Sequence, residues 1–366
     1  MRLLTEAAFL KRFFALLLGL VLAACLLVVP YTCWWLHSSG DLAVERAVKN
    51  QAAGRFALFG SGVSQDFVDY KLQLYAAVKP QVVALGSSRV MQFRGAYFRR
   101  PFLNVGGTAG NLPVLRSTLD AMLRLHRPEA VILGLDFWWF MPRWNPDPFK
   151  EEPPTSGSYG YNLDSLKKPW TWLLEGKISW RDLLGPVLPR SLGGFRDDRY
   201  GIKAFAPSPP LKDSRDVGGI STAHLDAFAE IYCRLKARGI ATYVFIAPLS
   251  ITALDALRAR EEDYPHLFRL RDALLARGIE VMDFTDPRTF AATDCEFVDG
   301  FHGGEVVYAR ILRDMADRWS SLLAYVDMDK INAVIRDWRG HALVPDPRLT
   351  DRPEVDFMRS DCPKRR

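Results

Sequence analysis

The sequence predicts an α/β protein with a mainly parallel sheet, preceded by one membrane-crossing helix. Three observations carry that expectation. Short, almost wholly apolar runs alternate with helical patterns, as strands buried on both faces require. Two of those helical patterns close on a glycine, Gly239 or Gly278, just before the next apolar run. Residues 13–35 carry no charged side chain.

That uncharged run is about 34 Å long as a helix, enough to cross a hydrocarbon core of about 30 Å. Lys11 and Arg12 stand directly before it, so the positive-inside rule puts residues 1–12 in the cytoplasm and the body outside. Trp34 and Trp35 fall where an interfacial aromatic belt belongs. Leu22-Ala23-Ala24-Cys25 looks like a lipobox, but apolar Leu26-Leu27-Val28-Val29 follows where a lipoprotein turns polar. The run also continues past any small-residue cleavage site, so an uncleaved anchor is the preferred reading over a signal peptide.

Residues 36–79 read as a juxtamembrane connector, with a helix possible over 42–57. The first strand is expected at 81–85, ending in Gly86-Ser87-Ser88-Arg89. A second covers 102–105 and runs into Gly106-Gly107-Thr108-Ala109-Gly110-Asn111. A helix follows over 112–125, then a third strand over 130–136. Residues 141–221 are dense in proline and hold Trp144, Trp170, Trp172 and Trp180. They read as a long insertion with short helices, either a lid or platform or a decorated loop. Helices are expected over 222–238, 264–277 and 307–325, and strands over 241–247 and 279–284. The α/β domain thus spans 80–325, and 326–366 is left as a C-terminal tail.

The net charge of +6 suits an anionic surface, but no basic stripe is interleaved with aromatics, so nucleic acid is not expected as a partner. The cysteines have no CxxC spacing, which excludes a common zinc arrangement. No cofactor is expected. Cys233, Cys295 and Cys362 in the body allow one disulfide and one leftover thiol, and the sequence does not pair them.

In a parallel sheet, ligands bind outside the carboxyl ends of the strands. The turns there hold Ser87 and Ser88, the glycine-rich loop 106–111, Asp136, and the residues after the last strand. A serine nucleophile needs a base, and the base needs an orienter. Asp299-Gly300-Phe301-His302 supplies both if one helical turn spans them, with Asp283 and Asp286 as alternative orienters. Asp299 read blandly is only the cap of a helix starting near Phe301. His37, His126, His224, His266 and His341 are worse placed than His302. Arg89 reads either as an anion ligand or as half of a structural ion pair. Trp138 and Trp139 read either as cleft lining or as core.

This constellation resembles the SGNH (GDSL-type) hydrolases and acyltransferases over about residues 80–325. Gly86-Ser87-Ser88 is similar to their first block, with Ser88 in the nucleophile position. Asn104 to Asn111 is similar to the second block, and Asp299-x-x-His302 to the fifth. The resemblance implies a flavodoxin-like three-layer sandwich, the SGNH hydrolase fold. It implies a catalytic set of Ser88, Asp299 and His302. It implies an oxyanion hole from the amides of Ser88 and of Ala109 or Gly110, with Asn111 nearby. Arg89, Asp136, Trp138 and Trp139 are the candidate substrate-contacting residues. The third block departs from the family: Gly134-Leu135-Asp136 stands where Gly-x-Asn-Asp is usual, so the donor asparagine is missing. A carboxylate does not donate a hydrogen bond unless protonated. Either Asn104 or Asn111 then supplies that donor, or the hole has only two amides, or catalysis is weak. The look is closest to membrane-anchored extracytoplasmic members of alginate O-acetylation and lipoteichoic acid D-alanylation. That implies a cell-envelope polysaccharide or acyl donor as substrate and a polytopic membrane-bound O-acyltransferase as partner.

Overall fold

The computed structural model describes residues 2–39, 44–53, 67–144, 146–150, 152, 163–174, 180, 183 and 219–345. It also describes 354, 356, 358 and 360–364. Most of the expected insertion over 141–221 lies outside the described residues.

Five parallel strands form one sheet: β1 (Val82–Leu85), β2 (Phe102–Asn104), β3 (Ala130–Leu135), β4 (Ala241–Ile246) and β5 (Val281–Asp283). Their order is β2-β1-β3-β4-β5, and every pairing is parallel. This is a doubly wound order whose direction reverses between β1 and β3, so the carboxyl ends of those two strands flank the switch point. Every residue of β1 and β3 is buried, which explains why their sequences are continuous apolar runs instead of alternating ones.

The two faces carry separate cores. Val83, Leu85, Val131, Leu133, Val244 and Ile246 point to one face. That face is covered by α4 (Leu112–Leu125), α6 (Thr222–Ala237), α7 (Ile251–Arg258), α8 (Pro265–Phe268) and α9 (Leu270–Leu275). Val82, Ala84, Ala130, Ile132, Tyr243 and Phe245 point to the other. There they meet α10 (Glu305–Arg318) and α11 (Met328–Asp337). The result is a three-layer α/β/α arrangement.

Several boundaries differ from the sequence reading. Residues 36–79 are more than a connector. Both α2 (Val44–Ala52) and α3 (Phe67–Val78) place Val44, Val48, Tyr70, Leu74 and Tyr75 in the first core, and Lys71 Nζ donates to the Asn104 carbonyl at 2.6 Å. The expected helix over 264–277 is two short helices, and α10 starts at Glu305 and gives way to a 3-10 turn, Ser320–Ala324. Residues 326–345 are not a loose tail, because Val326 and Ile331 are fully buried in the second core. A disulfide joins Cys295 to Cys362, and Cys233 is left exposed as a free thiol.

Before the body stands α1 (Arg2–Ser39). Within it, Phe9–His37 is long and apolar enough to cross a membrane; its most apolar 18-residue stretch has a mean hydropathy of 2.8 and none of that stretch is buried. Its C-terminal end meets α5 (Leu163–Leu174). There Trp35, Leu36 and Leu183 form a small separate core, with Trp170 packed against it.

Candidate active site

The turn after β1 rests on a floor of glycines. A Cβ on Gly86 would lie 2.7 Å from the Gly134 carbonyl oxygen, and one on Gly106 would lie 2.6 Å from Val90 Cγ2. On Gly134 it would lie 2.1 Å from Val90 Cγ1 and 2.8 Å from the Phe245 ring. All three glycines therefore let Val90 sink into the sheet end, which fixes the single 3-10 turn Ser88–Val90. Gly134→Ala is expected to destabilise the protein by about 1–3 kcal/mol through overpacking. It should also lower any activity that depends on Ser88, because Val90 is two residues from Ser88. Chemical denaturation alongside an activity assay checks both effects, and an unchanged unfolding midpoint contradicts the packing account.

The two serines have different jobs. Ser87 caps the turn, its Oγ accepting from the Arg89 amide at 3.2 Å. Ser88 Oγ lies 2.9 Å from His302 Nε2. On the far side of the ring, His302 Nδ1 is 2.9 and 2.8 Å from the two oxygens of Asp299. Residues 214 positions apart are thus brought into one relay. The His302 side chain is partly open, at 14% exposure, whereas Asp299 is buried at 1%. A buried carboxylate behind a partly open imidazole is the arrangement in which the ring takes a proton from a hydroxyl and stays oriented.

The Asp299–His302 spacing is achieved without a helical turn. Asp299 Oδ1 accepts the amides of Phe301 and His302, both at 2.7 Å, closing an Asx-type turn. Around it, Val298 N–H donates to the His302 carbonyl at 2.8 Å, and Phe297 pairs with Gly303. Asp299 caps no helix, since α10 begins after Gly304. Asp283 and Asp286 hold other places. Asp283 accepts the Thr285 amide at 2.8 Å, and Asp286 caps a 3-10 turn and pairs with Arg258 at 3.3 Å.

Burial pushes the Asp299 carboxyl up, but the hydrogen bond and charge of His302 and the amides of Phe301 and His302 outweigh it. The net position is below the usual carboxylate range. A depressed folded-state pKa gives stability that is complete above the unfolded value of about 3.9 and lost as pH falls through the lower folded one. Asp299→Asn is expected to be less stable than wild type down to about pH 4, with the gap shrinking below that. Denaturation midpoints measured from pH 7 to pH 2 check this. A gap that widens toward acid reverses the sign and overturns it.

Arg89 and Asp136 do not present themselves to a substrate. Arg89 is 1% exposed, and its Nη1 pairs with Asp136 Oδ1 at 2.9 Å. Its Nε donates to the Phe301 carbonyl at 3.1 Å, and its Nη2 to the carbonyls of Ala247, at 2.8 Å, and Pro248. Burial pushes the Asp136 carboxyl up, against the pull of Arg89, the Ser87 hydroxyl and His302. The reading of Arg89 as an anion ligand therefore gives way to the ion-pair reading, for lack of exposure. Trp139 is fully buried and belongs to the core. Trp138 keeps some surface, and the Arg89 guanidinium lies 5.4 Å from its ring centre.

The oxyanion candidates divide. The Ala109 amide already donates to the Gly86 carbonyl at 3.2 Å, so it is not free to bind an anion. Gly107 donates to the carbonyls of Gly86 and Ser87, and Gly106 to Asn104 Oδ1 at 2.8 Å. Asn104 is a fastener: its Nδ2 donates to the carbonyls of Val90 and Phe93 at 2.9 and 3.1 Å. The Asn111 side chain caps α4 through Val114 N–H at 2.9 Å and reaches Glu152 at 3.3 Å. Asn104 has both amide protons occupied and cannot stand in for a third-block donor, whereas Asn111 has one bonded to Glu152 and one left. The backbone amides of Ser88, Gly110 and Asn111 have no acceptor among the described residues.

Beneath His302, Glu296 receives a two-pronged bond from Arg310, both arms at 2.9 Å, and the Gly340 amide at 3.0 Å. Lys364 Nζ donates to the Cys295 carbonyl at 2.7 Å, next to the disulfide. The base of the Asp299–His302 turn is thus held by a part of the chain read from sequence as a tail. Its one sequence signal is the pair Cys295 and Cys362, which spacing alone does not join. Among the described residues no group of three or more His, Cys, Asp or Glu side chains could hold a metal ion.

Comparison of the chain with family models, with curated proteins and with solved structures finds no match.

Proposed function

We propose that this chain is a membrane-anchored, extracytoplasmic acyltransferase or esterase of SGNH type, acting on a cell-envelope polysaccharide or glycopolymer. The observation that carries the proposal is the Ser88–His302–Asp299 relay at the carboxyl end of β1, beside the switch point. Lys11 and Arg12 before the apolar helix support the outward orientation.

Ser88 Oγ attacks the acyl carbonyl while its proton passes to His302 Nε2, and Asp299 steadies the imidazolium through Nδ1. The amide of Ser88, with Gly110 or Asn111 opposite, receives the oxyanion. Collapse expels the first alcohol or carrier, which takes the proton from His302. A polymer hydroxyl then attacks the acyl-enzyme, giving its proton to His302, which passes it to the departing Ser88 Oγ; this is transfer, and water in the same place gives hydrolysis. A polytopic membrane-bound O-acyltransferase is the partner proposed to deliver the acyl group.

Mixing the protein with an activated acetyl ester is expected to give a burst of about one leaving group per chain, followed by slow turnover. A second reading, a non-catalytic scaffold for polymer or partner, is favoured by Asp136 standing at the donor-asparagine position, tied to Arg89. That reading requires the burst to be absent.

A further inference from the structure

A groove of about 450 Å³ runs between the outer part of α1 and α5. Its walls include Val28, Val29 and Thr32 from α1 and Leu166, Trp170 and Leu174 from α5. We propose that it holds an acyl chain of an anionic phospholipid from the leaflet on the body's side, with the phosphate at Lys167. The proposal rests on α1 crossing the membrane and is independent of the acyl-transfer chemistry.

Depth is the first argument. Counted from Arg12 at the inner boundary, about 20 helical residues span a 30 Å hydrocarbon core, which brings the outer edge to about Thr32. The groove therefore opens where chain ends and headgroups meet, and water is not the competing solvent on its apolar side. The second argument is that the polar atoms of the floor are satisfied internally. Trp170 Nε1 donates to Thr32 Oγ1 at 3.0 Å, and Thr32 Oγ1 donates to the Val28 carbonyl at 2.7 Å. Apart from Lys167 and Thr171, what remains facing the groove is methyl groups and ring faces, a surface that binds hydrocarbon and leaves Lys167 as its one cation among the described residues.

The third argument is composition. Exposed Leu163 and Leu174 bracket α5, with Lys167 and Trp170 between them. Apolar residues with an interfacial tryptophan and a lysine describe a helix lying in the membrane surface, its cation at headgroup level.

The test uses the full-length protein in phosphatidylcholine nanodiscs doped with phosphatidylglycerol bearing a photoactivatable acyl chain. After irradiation, adducts are mapped by peptide. The expected result is labelling concentrated on residues 28–32 and 163–174, about tenfold above residues 13–27, as some 1.4 kcal/mol of preferential packing produces. Thr171→Trp, which fills the groove from an exposed position, should remove that excess. Lys167→Gln should reduce it for phosphatidylglycerol but not for phosphatidylcholine carrying the same probe. Even labelling along α1, insensitive to Thr171→Trp, means ordinary surrounding lipid and overturns the proposal. So does crosslinking of these residues to another protein in native membranes in place of lipid. Absence of label from all of α1 defeats the membrane span itself, an outcome distinct from the other two.

Discussion

Ser88→Ala is expected to lower acyl transfer by about 10⁴–10⁶-fold in kcat, with the remaining rate coming from the oxyanion amides and from binding. The magnitude follows from how the three groups depend on one another. Without the hydroxyl, His302 Nε2 has no nucleophile to deprotonate, and the Asp299 carboxylate behind it orients a base with no function. His302→Ala should cost a similar amount, and combining the two should cost little more, because the relay acts as a unit. Stability should change by no more than about 1 kcal/mol, since the lost hydroxyl makes a single side-chain hydrogen bond in a partly open site. The control is Ser87→Ala. Its hydroxyl caps the Ser88–Val90 turn, so it should destabilise by about 0.5–2 kcal/mol while retaining far more activity. Initial rates and the ester burst, measured on protein shown to be folded, separate the two serines. Full activity in Ser88→Ala removes the relay from the mechanism.

The division between those serines illustrates what sequence can and cannot carry. The buried strands were legible because a strand covered on both faces must be apolar throughout, and Ala130–Leu135 is. Ser88, Asp299 and His302 are legible as candidates because they fall in turns and loops of an α/β pattern in a workable order, while what separates Ser87 from Ser88 is the turn geometry. Other features have no local signature. Helix Phe67–Val78 is apolar over much of its circumference, so it shows little of the periodicity that marks a surface helix. The Cys295–Cys362 link joins residues 67 apart, and spacing alone does not choose it over pairings with Cys233. The amide of Ala109 looks free in sequence, and only the fold shows it spent on Gly86. Asp136 looked like a defect in an oxyanion hole. Its partner Arg89, next to Ser88 but 47 residues away from Asp136, makes it part of the site's framework.

That framework makes the second large prediction. Arg89→Met is expected to destabilise the protein by about 3–5 kcal/mol, because it strands the Asp136 carboxylate in a buried place. It also removes the donor to the Phe301, Ala247 and Pro248 carbonyls. Removing both charges should cost less than removing one. Arg89→Met with Asp136→Leu is expected to recover part of the loss but not all, since the three carbonyls stay without their donor. Arg89→Lys keeps a cation for Asp136 but lacks the planar fork that reaches several acceptors at once. It should fall between wild type and Arg89→Met in stability, and its activity should drop more than its stability implies. The reason is the link to Phe301: Arg89 Nε holds the carbonyl of the residue directly before His302, so loosening it lets the imidazole drift from Ser88. Denaturation midpoints for wild type, Arg89→Met, Asp136→Leu and the double variant form a double-mutant cycle whose coupling should be about 1–3 kcal/mol. A coupling near zero means that Arg89 and Asp136 stabilise the fold independently, and the framework account then fails even if the triad stands.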